Sequence, residues 1–138
     1  MIVFQNVFKI YNSHSTALED VTFQMFPGEF ISLAGRSGAG KSTVIKLLIG
    51  EDKPTRGRVF FGQYEVNKLQ DKELPAFRRH IGVVFQDFRL LVTKNAYENI
   101  AYALEVMGRP QREIAELVPQ VLDMVGLSDK ARNFPHEL

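Results

Sequence analysis

The sequence predicts an α/β fold with an antiparallel β-layer at its N-terminus. Three observations carry that prediction. Residues 2–26 are dense in β-forming side chains and broken once, by the polar run Asn12-Ser13-His14-Ser15. Beyond residue 30, short apolar runs of strand length alternate with segments of helical spacing. Between two of these lies the glycine-rich stretch Gly35-Arg36-Ser37-Gly38-Ala39-Gly40-Lys41-Ser42-Thr43. Strand-rich beginnings followed by strand–helix alternation are how layered α/β domains are written.

The elements follow in order. Ile2 to Tyr11 reads as a strand, with Val7 and Ile10 interleaved with Asn6 and Lys9. Asn12 to Ser15 is a turn, and Leu18 to Phe26 is a second strand with apolar Leu18, Val21, Phe23 and Met25. Pro27-Gly28 is a tight turn into Phe30-Ile31-Ser32-Leu33-Ala34, an apolar run expected as a buried strand. Thr43 to Ile49 is expected as a buried helix that stops at Gly50. A turn at Pro54 to Gly57 leads to a short strand, Arg58 to Phe61. Leu74 to His80 reads as a short basic helix, and Ile81-Gly82-Val83-Val84-Phe85 as another buried strand. Ala96 to Met107 has helical spacing at Ala96, Ile100, Ala103, Leu104 and Met107. Arg112 to Val125 is a second amphipathic helix, kinked or split at Pro119. No repeat, low-complexity tract or linker interrupts this order.

The glycine-rich stretch matches G-x-x-x-x-G-K-S/T in full and has the strand–loop–helix context that such a phosphate-binding loop requires. Glycines let successive backbone N–H groups point at one anion, and the following helix adds the positive end of its dipole. Lys41 then reaches the β- and γ-phosphates as a point charge, and the Ser42 hydroxyl can ligate Mg²⁺. The motif predicts a nucleoside triphosphate held by Gly35, Arg36, Ser37, Gly38, Ala39, Gly40, Lys41, Ser42 and Thr43.

Composition narrows the class. The chain has 138 residues, 45% of them hydrophobic, which suits one domain with a core. Net charge is +1, so nothing calls for nucleic acid or lipid headgroups. There is no cysteine, hence no disulfide framework and no thiolate metal site. The N-terminus, Met1 to Asn6, does not read as a signal peptide. No apolar run approaches the roughly 20 residues that span a bilayer. The expected location is cytosolic.

Other phosphate-loop chemistries fit poorly. Asn67-Lys68-Leu69-Gln70 lacks the acid that would read guanine. Asp123-Met124-Val125-Gly126 ends a helix where a GTPase needs a strand end, and the two runs occur in the wrong order. A nucleoside kinase would need an Arg-rich lid, and Arg78-Arg79 is the only pair.

A different ordered set fits together. Tyr11 ends the first strand, Gln86 follows the run 81–85, and Gly126-Leu127 follows the last amphipathic helix. The chain closes on Asn133-Phe134-Pro135-His136-Glu137-Leu138. With the phosphate loop, this set resembles the ATP-binding subunit of ABC transporters over residues 1–138. The resemblance implies ATP and Mg²⁺ as cofactors, ATP hydrolysis, and a homodimer seated on an integral membrane partner at the cytoplasmic face of the membrane. It implies that Tyr11 stacks on adenine, a π contact, and that Gln86 helps ligate Mg²⁺ or place the attacking water. Lys41 and Gln86 are thus the expected catalytic residues, and Ser42 and Gln86 the expected metal ligands.

Within the family, the runs Ile81 to Leu91, Arg36 to Thr43 and Lys130 to Leu138 look like the cell-division type. That type implies an FtsX-like membrane partner and control of septal cell-wall hydrolysis. The alternatives are ATPases of lipoprotein-releasing, macrolide-export or methionine-import transporters, with a permease as partner, or a nucleotide-binding fragment without activity. The family pattern continues past Leu138 with a signature loop, an apolar strand ending in Asp-Glu, and a switch histidine. His14, His80 and His136 do not stand in that last position. The expectation is the N-terminal portion of an ABC-type domain, inactive alone, with Ile31, Leu33, Val83 and Phe85 partly uncovered. The segment from Gln86 to about Tyr102 is expected to face the membrane partner, since Phe88, Leu90, Leu91 and Val92 crowd a loop.

Overall fold

A computed structural model describes residues 1–12 and 15–138; Ser13 and His14, in the expected turn, lie outside the described residues. The chain divides into two units, 1–82 and 83–138.

The first unit is built on an antiparallel sheet. Strand β1 is Ile2–Asn12, β2 is Ser15–Met25, β3 is Arg56–Phe61 and β4 is Tyr64–Glu65, in the order β2-β1-β3-β4. The register pairs Phe4 with Phe23 on one side and with Val59 on the other. Phe4 and Phe23 stack with ring centroids 4.6 Å apart. Bulges interrupt β1 and β2 where Asn6 and Asp20 take positive φ. The Asn6 amide donates to Asp20 Oδ1 at 2.9 Å and its backbone N–H to Thr22 Oγ1 at 2.9 Å, which offsets the lost ladder bonds. Gly57, at φ 86, faces this bulge, where an added Cβ would collide with the Gln5 and Asn6 carbonyls.

Helix α1 is Lys41–Leu48 and lays Val44 and Leu47 on the sheet, in one core with Phe4, Val7, Leu18, Val59, Val66 and Phe77. Helix α2, Leu74–Arg78, contributes Phe77, which meets Phe61 and Tyr64 edge-on at 5.8 and 5.4 Å. Arg78 then donates from Nε to the Ile49 carbonyl and from a terminal nitrogen to that of Gly50. A cation on the last carbonyls of α1 satisfies orphan acceptors and complements the helix dipole. Arg78 is therefore a structural cap, consistent with rejecting a kinase lid. Asn67 is structural too: its Oδ1 accepts the Val59 N–H at 3.0 Å.

The second unit pairs α3, Ala96–Val106, with α4, Gln111–Met124. Ile114, Val118 and Leu122 form one buried stripe on α4, against Ala96 and Ala101. The first amides of α3 are satisfied by the chain's end: Ala96 N–H donates to Asn133 O and Tyr97 N–H to Ala131 O, both at 2.9 Å. Asn95 and Glu98 close a capping box before the same turn.

Two expectations fail here. Phe30 to Ala34 and Ile81 to Phe85 were expected as buried strands, and neither is in a strand. A strand exists only through its ladder, and no described residue pairs with either run. Phe30 is 93% and Val84 91% exposed, and Ile31 and Leu33 are also uncovered. Ile31 and Leu33 border an apolar cavity of about 110 Å³ with Phe4, Phe23, Val44 and Leu48. The last helix was expected to be kinked or split at Pro119, and it is not split there. Helix α4 runs through Pro119, which forgoes one hydrogen bond while the buried stripe continues on both sides. Strand β4 and the earlier start of β2 were not anticipated.

The tightest joint between sheet and helix is Gly40, at the N-terminus of α1 with φ 85. An added Cβ would collide with the Ala17 carbonyl oxygen and fall 2.8 Å from Leu18 Cδ2. Gly40→Ala is therefore expected to lower stability by about 2–3 kcal/mol, through a left-handed backbone and a backbone clash. Urea unfolding checks it; a loss within 0.5 kcal/mol, the usual range for a neutral surface change, would contradict the joint.

Candidate functional site

The loop before α1 is a backbone cradle. Gly38 and Gly40 hold φ near 80 and 85. The Ala39 N–H donates to the Arg36 carbonyl at 3.2 Å, closing the turn. The ladder of α1 begins with Val44 N–H to Gly40 O at 3.1 Å. The amides of Lys41, Ser42 and Thr43 thus precede the ladder, at the positive end of the helix. No acidic side chain sits in that first turn to compete for it.

Side chains complete the cradle. Lys41 Nζ donates to the Gly35 and Arg36 carbonyls, each at 2.7 Å. This holds the loop curled and uses two of the three ammonium protons. Ser42 is exposed, so its hydroxyl faces the same solvent as the loop. Thr43 is buried, with 8% exposure, so it can offer a ligand only its amide. Gly35, Arg36, Ser37, Gly38 and Ala39 all lie on the exposed side, and Gly40 is buried against β2. The arrangement suits a polyanion, with oriented amides, one ammonium with a proton to spare and one hydroxyl.

Tyr11 lies near the end of β1, 49% exposed. Around it, Lys9 pairs with Asp52, in the turn after α1, and donates to the Lys53 carbonyl at 2.9 Å. Burial pushes the Asp52 carboxyl up. Hydrogen bonds from Lys9, Tyr11 and the Lys53 amide, with the Lys9 charge, outweigh it and hold the group below its ordinary value. Sequence reading did not find Lys9 or Asp52, because their partnership spans 43 positions. The only signal was a lysine two residues before the tyrosine on one strand face.

In the second unit, Gln86 is exposed at the start of a loop. Phe88 and Arg89 both take positive φ, and the Arg89 guanidinium sits 3.9 Å from the Phe85 ring centroid. Phe88 is 71% and Val92 69% exposed, so these residues do not cap a core in the described chain. Asn99 ties the loop down: its Oδ1 accepts the Leu91 N–H at 2.8 Å, and its amide donates to the Leu91, Lys94 and Asn95 carbonyls. Sequence reading missed Asn99 as well, since an Asn inside a helical pattern gives no sign of its partners. No group of His, Asp or Glu among the described residues could hold a metal ion by itself, so a cation here would depend on hydroxyl, amide and phosphate oxygens. Among the described residues no helix is long and apolar enough to cross a membrane.

Comparison with known proteins identifies the class. The sequence pattern of the ABC transporter family matches residues 18–138, most of the chain, and the chain belongs to that family. Among curated relatives it is similar to the cell division ATP-binding protein FtsE. Identity is 44% to that of Escherichia coli K12 over all of this chain and 62% of the relative. It is 45% to that of Bacillus subtilis and 47% to that of Mycobacterium tuberculosis, covering 60% of each. The chain thus spans about three fifths of the length of these relatives. Among solved structures it superposes on one chain of the dimeric structure of the ATP-binding cassette MJ0796 in a post-hydrolysis state bound to ADP and Pi. The TM-score is 0.90 at 34% identity, over all of this chain and 63% of that one.

The Lys9–Asp52 pair yields a pH prediction. The folded carboxyl holds its proton less tightly than the unfolded one, whose value is about 3.8. Its stabilisation is complete above that value and fades as pH falls through the lower folded value. Asp52→Asn is expected to cost about 1 kcal/mol at pH 7 and progressively less below pH 4. Urea unfolding at several pH values checks this; a pH-independent difference would contradict it.

Proposed function

We propose that this chain binds ATP with Mg²⁺ as the nucleotide-binding portion of an ABC-type ATPase, of the cell-division kind. The observation that carries the reading is Lys41 folded onto the Gly35 and Arg36 carbonyls beside the amides that open α1. The loop is already curled, so a triphosphate meets oriented donors without reorganising them. The third ammonium proton of Lys41 is left for a phosphate oxygen. Tyr11 supplies the adenine contact. The Ser42 hydroxyl is a hard oxygen ligand of the kind Mg²⁺ takes, and Gln86 is read as a second on the family resemblance. An ion held there would supply charge neutralisation for the triphosphate.

The fuller activity rests on the similarity to FtsE. The reading is of a homodimer at the cytoplasmic face, coupled to an FtsX-like membrane protein that relays ATP cycling to septal cell-wall hydrolysis. Residues 1–138 carry the N-terminal portion of the domain. They hold neither the family's signature loop, nor its Asp-Glu strand end, nor its switch histidine, so the chain by itself binds nucleotide without turning it over.

Lys41→Ala removes a charge-assisted contact worth about 1.5–3 kcal/mol. That is roughly a 10- to 150-fold loss of ATP affinity, read by calorimetric titration. Equal affinity for variant and parent would overturn the assignment. Steady phosphate release by the purified chain that vanishes in Lys41→Ala would overturn the inactivity of residues 1–138.

The exposed run Phe88 to Val92 is read as the surface that meets the membrane partner. Its apolar anchors and Arg89 suit a cytoplasmic helix. Phe88→Ser and Leu91→Ser, placed in a full-length protein, are expected to abolish copurification with the FtsX-like partner while leaving the helical signal intact. Undiminished copurification would contradict it.

A further inference from the structure

Tyr11 is gripped by a polar cluster outside the phosphate loop. Lys9 and Tyr11 stand two apart on β1, and the Lys9 ammonium lies 4.8 Å from the Tyr11 ring centroid. The same ammonium donates to Asp52 Oδ1 and to the Lys53 carbonyl. Asp52 also accepts a hydrogen bond from the Lys53 amide at 2.8 Å. The charged pair is largely sheltered, with 12% of the Lys9 side chain and 24% of that of Asp52 exposed. The ring it holds is 49% exposed.

That combination is more than a strand-end tyrosine needs. One face carries a cation held by Asp52 and the Lys53 carbonyl, and about half of the residue is open to a ligand. We propose that Lys9 and Asp52 are positioning residues for a purine base: they hold Tyr11 so that the base stacks opposite Lys9. The proposal rests on the reading of Tyr11 as the adenine contact. Two physical effects serve it. The ammonium, tethered over one face, resists rotation of the ring about its own axis, so less entropy is lost when the base lands. The ammonium attracts the ring and draws its π-density toward one face, which lowers repulsion with an electron-rich purine on the other. The Lys53 carbonyl and Asp52 together keep the ammonium from swinging into solvent.

The plainer alternative is that the pair only ties the end of β1 to the turn after α1. The two differ in what they do to a ligand without a base. Calorimetry is run on the folded chain with Mg²⁺-ATP and with inorganic tripolyphosphate. Lys9→Met is expected to weaken ATP about 2- to 5-fold and to leave tripolyphosphate unchanged. Asp52→Asn, nearly isosteric, should act in the same direction, and Lys9→Arg should restore most of the loss by keeping the cation. Tyr11→Ala should weaken ATP about 5- to 150-fold, and Lys9→Met should add nothing in that background. Parent-like ATP affinity in both Lys9→Met and Asp52→Asn, with Tyr11→Ala weakened, overturns this proposal alone. Parallel loss of ATP and tripolyphosphate overturns it in favour of the structural tie. Parent-like ATP affinity in Tyr11→Ala overturns the adenine reading and this proposal with it.

Discussion

The phosphate loop keeps its shape because Gly40 packs against strand β2 with no room for a side chain. That contact sets where α1 begins. From there, Val44 and Leu47 reach the sheet, and the amides of Lys41 to Thr43 open toward solvent. Lys41 can then fold onto the Gly35 and Arg36 carbonyls. At the other end of the helix, Arg78 closes the last carbonyls. A short helix of eight residues, marginal alone, is thus fixed at both ends by partners far away in sequence. The curled geometry of the loop is a consequence of packing, and glycine is required at residue 40 for steric reasons before any ligand arrives.

Much of this was legible in the sequence. The motif located the loop and α1 to within two residues, and alternation located β1, β2 and β3. The α4 stripe Ile114, Val118, Leu122 follows from spacing alone. Helix propensity and periodicity are local, and so survive whatever the rest of the chain does. The strands expected at 30–34 and 81–85 were not legible in the same sense. Their apolar runs record a preference for a buried ladder, but a ladder needs a neighbour, and no described segment supplies one. The exposure of Phe30 and Val84 is the physical residue of that mismatch.

The site was legible where one segment carries it and illegible where distant segments meet. Residues 35–43 declare themselves by type and spacing. The Lys9–Asp52 pair and the Asn99 clasp on Leu91 and Lys94 do not, because each joins groups whose relation appears only after folding. Both serve residues already singled out by resemblance, Tyr11 in one case and the loop after Gln86 in the other. The pattern is a residue that is easy to name, held by a supporting residue that is not.

The central claim is that the curled loop at the start of α1 is an anion cradle built from backbone amides. Proton–nitrogen correlation spectra of the chain, titrated with inorganic pyrophosphate, test it residue by residue. The account predicts large shifts of the Gly38, Gly40, Lys41 and Ser42 amides, with Gly108 and Gly126 of the second unit unmoved. Saturating pyrophosphate that leaves those four loop amides in place, or that shifts the second unit's glycines instead, would contradict it.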